Sequence, residues 1–169
     1  PGGEQQVARG GGQVGIPQRG RVAQKKTQIC LHHTAGGSAS SSANWWNSKP
    51  DHVSTPYLID RDGTIYELYN PSFWAYSLGL TNGTAIEKRT IPIEICSYGG
   101  LIKKSGKYYR QNGSTLTEMP ESEVIEYKEP HRGFIAFERY TDAQVQSVIN
   151  LVKWLSESFG ISVKDIVNL

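Results

Sequence analysis

Two apolar runs, each holding a group that an apolar run does not readily tolerate, constrain this chain most. Residues 28–35 read Gln-Ile-Cys-Leu-His-His-Thr-Ala and close on paired histidines and a hydroxyl. Residues 90–95 read Thr-Ile-Pro-Ile-Glu-Ile and enclose a single acid, Glu94. Short runs rich in β-branched residues specify buried strands. A carboxylate inside such a strand is costly unless it is paired, so Glu94 needs a reason to be there. A histidine ending one strand and a lone carboxylate inside another is how a zinc hydrolase supplies a ligand and a general base.

The 169 residues suit one domain with a single sizeable core. No apolar stretch is long enough for a transmembrane helix. Cys30 and Cys96 both fall in strand-like apolar runs and read as buried free thiols; two cysteines make no disulfide framework. The net charge of +2 is uneven. Residues 1–26 carry Arg9, Arg19, Arg21, Lys25 and Lys26 against Glu4, a net of +4 that leaves −2 for the rest. This segment is rich in Gly and Gln and reads as a basic tail or linker, with residues 27–169 forming the domain. A domain without a basic face of its own is not expected to bind nucleic acid. No secretory leader is visible, and the opening Pro1 implies that something upstream was removed.

Along the chain, Thr27–His33 reads as the first strand. Gly36 and Gly37, with Ser38 to Ser42, form a polar loop able to cap a helix around Ala43–Asn47. Val53–Ile59 and Thr64–Tyr69 read as a hairpin about Arg61-Asp62-Gly63, because an Asp-Gly pair tolerates positive φ. Trp74–Gly79 reads as a loop crossing a site, and Ile91–Cys96 as a core strand. The Gly pairs between 99 and 114 suggest an exposed two-stranded ribbon, and 119–130 reads as an acidic loop. Thr141-Asp142-Ala143-Gln144 is a capping box opening a helix with Val145, Val148, Ile149, Val152 and Leu155 at helical spacing, stopped by Gly160. The expected class is therefore α/β: a single mixed central sheet flanked by helices, with an extra exposed β-ribbon.

These segments occur in an order that resembles the zinc-dependent N-acetylmuramoyl-L-alanine amidases of the type-2 amidase and peptidoglycan-recognition superfamily, which includes many bacteriophage endolysins. The resemblance runs over about residues 27–160: the Cys-Leu-His-His-Thr-Ala strand, the Asp62-Gly63 hairpin, the Trp74–Gly79 loop, the Glu94 strand and the capped helix at Thr141. It implies a zinc ion and hydrolysis of the amide between N-acetylmuramic acid and L-alanine in peptidoglycan. It places the first zinc ligand on His32 and the catalytic glutamate on Glu94. A tyrosine used by other members falls on Thr55, which favours the glutamate variant. The Trp-His-x-Gly pattern of some members is altered here to Trp74-Ala75-Tyr76-Ser77-Leu78-Gly79. The second and third ligands follow the long helix in the family and are expected beyond Leu169, in a lost or separate C-terminal segment.

Other residues admit plainer roles. His33 falls on the opposite strand face from His32. His52 and His131 read as surface histidines, His131 also as a substitute ligand or substrate contact. Trp74, Tyr76 and Tyr57 are candidates for lining a glycan or peptide groove, where aromatics offer flat apolar faces; Trp45 and Trp46 suit the core as well. The alternative to an enzyme is a non-catalytic peptidoglycan-binding module or a structural virion or wall-associated component with the same fold. Either acts at the bacterial cell wall without inserting in a membrane.

Overall fold

The structure is a computed structural model and describes residues 8–9, 22–51 and 53–168. Most of the basic tail, and His52, lie outside the described residues.

The first sheet has six strands. They are β1 (Ala8–Arg9), β2 (Gln28–His33), β3 (Tyr57–Ile59), β4 (Ile65–Glu67), β5 (Thr90–Ile95) and, from the far end of the chain, β11 (Ile166–Asn168). Their order is β1-β4-β3-β5-β2-β11. Only β3 and β4 are antiparallel, as the Asp-Gly hairpin requires; β2, β5, β3 and β11 run parallel. Parallel strands are covered on both faces. One face packs on helix α3 (Asp142–Phe159) through Ile29, Ile93, Ile59, Leu151 and Leu155. The other packs on helix α1 (Ala39–Asn47), where Leu58 and Cys96 meet Ala39 and Trp46. Trp45 stays exposed beneath the ammonium of Lys49.

Helix α3 begins as the capping box predicts. Thr141 accepts from the Gln144 amide, the Gln144 side chain accepts from the Thr141 amide, and Gly160 ends the helix at φ 65°. Its first turns sit on the β3–β4 hairpin: Thr141 donates to the carbonyl of Arg61 and Ser147 to that of Gly63. Gly63 is required twice over, by its φ of +85° and because a Cβ there would lie 2.8 Å from the Ala143 carbonyl oxygen. The buried stripe is Leu151 and Leu155, with Val148 and Val152 beside them, while Val145 and Ile149 are exposed.

The expected ribbon belongs to a larger element. Strands β6 (Gly100–Lys104), β7 (Lys107–Asn112), β8 (Thr115–Met119), β9 (Val124–His131) and β10 (Phe134–Glu138) form an antiparallel five-stranded sheet in the order β8-β7-β6-β10-β9. Residues 119–130, read from sequence as a loop, mostly form strand β9 and the turn leading into it. The second sheet has its own core of Leu101, Met119, Val124 and Ala136. A short helix, α2 (Thr84–Arg89), precedes β5.

Candidate active site

Parallel pairing of β2 with β5 sets His32 opposite Glu94, and pairing of β3 with β5 sets Leu58 on the other side of Glu94. Residues paired in register share a sheet face. His32 and Glu94 thus meet on the α1 side, away from α3. The His32 Nδ1 lies 3.9 Å from Glu94 Oε1, beyond hydrogen-bond reach but close enough for both to touch one small reactant. The other ring nitrogen, Nε2, lies 3.1 Å from the Sγ of buried Cys30, two residues earlier on the same face.

Burial decides the electrostatics. Glu94 is 8 % exposed, and its Oε2 has no hydrogen-bond partner among the described residues. Loss of solvent raises its pKa to about 7, so it exchanges a proton near neutrality. Burial, then the charges of His33 and Arg132, lower the pKa of His32 and keep the imidazole neutral, the form in which histidine binds metals. Cys30 and Cys96 are free and buried. Burial first, and then nearby Glu94 and Glu87, push the Cys30 thiol up to about 11, so it is no nucleophile at neutral pH.

The other sequence candidates scatter. Tyr57 lies on the opposite face from Glu94, 1 % exposed in the core against α3, with its hydroxyl donating to Glu67. It has no surface to offer a substrate. Trp74 is buried too, edge-on to Tyr76 with ring centroids 5.4 Å apart, and Lys88 lies over its ring. Tyr76 is half-buried, and its carbonyl accepts from the Ser54 amide. Thr55 is buried and donates to the Tyr57 carbonyl. His33 faces away from Glu94, its ring directly over Gly99, where a Cβ would lie 2.3 Å from Nε2.

Sequence reasoning missed Glu87. Its carboxylate is 3 % exposed and accepts from the amides of Ser77 and Leu78 and from the Ser77 hydroxyl. It therefore fixes the Trp74–Gly79 loop from α2. It also missed a pocket of about 800 Å³ that runs from His32 and His33 to the β9–β10 hairpin. His131 lines this pocket, with its ring 6.0 Å from that of Phe137. Among the described residues, no three His, Cys, Asp or Glu side chains converge in a way that could hold a metal. His131 therefore does not complete a site with His32.

A family profile described as N-acetylmuramoyl-L-alanine amidase matches residues 23–168. The chain belongs to this family. Its fold is that of solved amidases. It is similar to the N-acetylmuramyl-L-alanine amidase AmiD from E. coli, solved with anhydro-N-acetylmuramic acid-L-Ala-D-gamma-Glu-L-Lys, at 18% identity and TM-score 0.57, over 96% of this chain and 55% of that one. It is similar to AmpDH3 from Pseudomonas aeruginosa, solved with anhydromuramic pentapeptide, at 15% identity and TM-score 0.55, over 88% and 52%. A mutant endolysin from Bacillus subtilis aligns at 18% identity and TM-score 0.52, over 90% and 79%. This chain thus spans about half the length of AmiD and AmpDH3. A comparison with curated protein sequences finds no match. Amidases of this family are generally zinc-dependent. The described residues alone do not fit a complete zinc site, since catalytic zinc takes three protein ligands.

Proposed function

We propose that this chain carries the proton-transfer group of a peptidoglycan amidase site, with Glu94 as general base and then general acid. The substrate is the amide joining the lactyl group of N-acetylmuramic acid to L-alanine in a wall peptide that includes a γ-linked glutamate. The observation that carries this reading is the unpartnered, buried carboxylate of Glu94 beside a neutral His32, in a chain of the amidase family. Glu94 takes a proton from the attacking water as the oxygen bonds to the acyl carbon. It returns that proton to the alanine nitrogen as the carbon–nitrogen bond breaks, leaving an acid and a free amine. A group titrating near 7 serves both steps.

Zinc is the proposed cofactor on family grounds, and His32 is proposed as one ligand through Nδ1, the nitrogen not held by Cys30. Bound zinc lowers the pKa of water and polarises a carbonyl; no step above is routed through it. The endolysin likeness supports action at the bacterial wall, including delivery by a bacteriophage. No helix among the described residues is long and apolar enough to cross a membrane.

The test is release of free N-terminal L-alanine from purified cell wall. Glu94→Gln is expected to lower the rate at least about a hundredfold. A rate near wild type removes Glu94 from the mechanism. One second reading is a binding module, since no three His, Cys, Asp or Glu side chains converge among the described residues. Retention on insoluble wall with no release of alanine supports that reading instead.

A further inference from the structure

The β9–β10 hairpin brings Arg132 to the pocket that His32 and His33, at the end of β2, also line. Its turn is Arg132-Gly133, with φ of 50° and 84°, the left-handed pair of a type I′ turn. That geometry gives the tip a defined position. Along β9, Ile125, Tyr127, Glu129 and His131 alternate onto one face and line one wall of the 800 Å³ pocket, while His32 and His33 line the other end. Tyr127 and Phe137 meet edge to face on that wall, with ring centroids 5.6 Å apart, and Tyr127 is 48% exposed.

Charge on this pocket is unbalanced. Arg132 and Arg139 both line it and make no salt bridge among the described residues. Glu138 also lines it but is held by Arg61, which leaves Glu129 as the free carboxylate among the lining groups. Arg132 shares the lining of this one pocket with both His32 and His33. A guanidinium beside an aromatic wall suits a ligand carrying a carboxylate on an otherwise uncharged arm, because its planar fork matches a carboxylate in two points.

We propose that Arg132 is a specificity residue that pairs the free α-carboxylate of the γ-linked glutamyl residue in the wall peptide, while the peptide lies along Tyr127 and Phe137. This rests on the amidase reading and adds to it which chemical group of the peptide is recognised. Arg132 acts in binding, and no proton transfer passes through it.

The test is calorimetric titration of the whole protein with two muropeptides, each carrying L-Ala-γ-D-Glu-L-Lys, one with the glutamyl α-carboxylate free and one with it amidated. The wild type is expected to bind the free acid about tenfold more tightly, the effect of one charge-assisted pair. Arg132→Gln is expected to bind both at the weaker level, and Arg132→Lys to keep part of the preference. Arg132 is exposed in a turn, so these variants retain the fold. Equal binding of both probes by the wild type, or a preference that survives in Arg132→Gln, overturns the assignment while leaving the amidase reading intact. Binding of neither probe by the wild type overturns both.

Discussion

Arg61 and Glu138 form a two-point ion pair that joins the hairpin of the first sheet to β10 of the second. Glu138 also accepts from the Tyr98 amide, and Arg61 also donates to the Gly37 carbonyl and lies over the Tyr98 ring. The side chains differ in burial, 32% exposed for Arg61 and 2% for Glu138. Because β10 carries one wall of the pocket, this pair sets where that wall stands relative to His32.

The difference in burial makes the two deletions unequal. Arg61→Ala leaves a buried carboxylate without its counter-charge, which costs about 3–5 kcal/mol. Glu138→Ala leaves a guanidinium that water reaches, and the cost falls to about 1–2 kcal/mol, the loss of charged hydrogen bonds offset by hydration. Denaturant titration of both variants measures this. Equal costs would mean that Glu138 is not isolated from solvent.

Glu94 links pH to stability. Burial raises its pKa from 4.5 to about 7, so the folded protein holds the proton more tightly than the unfolded chain does. The stabilisation is fully present below about pH 4.5 and is lost as pH rises through about 7. Glu94→Gln abolishes this titration. The variant is expected to match wild type near pH 4 and to exceed it above about pH 8, by up to about 3 kcal/mol. Thermal melts of the metal-free proteins at the two pH values decide it; a stability gap that does not change with pH would place Glu94 in contact with water.

Glu87 is expected to act on the Trp74–Gly79 loop and on Lys26, and not on α3. Glu87→Ala removes the acceptor for the amides of Ser77 and Leu78 and for the Ser77 hydroxyl, at a cost of about 3 kcal/mol. It also leaves Lys26 without the negative charge that offsets its burial. Amide hydrogen exchange should quicken at Ser77 and Leu78 and stay unchanged in α3. Unaltered protection at those two amides would show that the loop holds itself.

The legible parts of this fold carry local chemistry. The Thr141 capping box, the Asp62-Gly63 turn and the apolar runs of β2 and β5 specify their elements without help from distant residues, and the family order of motifs singles out His32 and Glu94, which the β2–β5 register sets side by side. Strand β9 was illegible because Glu126, Lys128, Glu129 and Pro130 mark it as polar; an edge strand with most of its length in solvent needs no apolar alternation. Helix α2 is six residues long, too short to show a period. Tyr57 was misplaced because Thr55-Pro56 hides which way the strand alternates, and one residue of parity separates a core ring from a site ring. The Arg132 tip is a matter of tertiary placement, which spacing along the chain does not encode.

Strand β2 stands between β5 and β11, both parallel to it and both distant along the chain. No neighbour of β2 can be supplied by a local hairpin, so its pairings wait for long loops to close, which is entropically slow. During synthesis His32 emerges before Glu94 and lacks that neighbour until β5 arrives. The cleft is therefore a late product of folding.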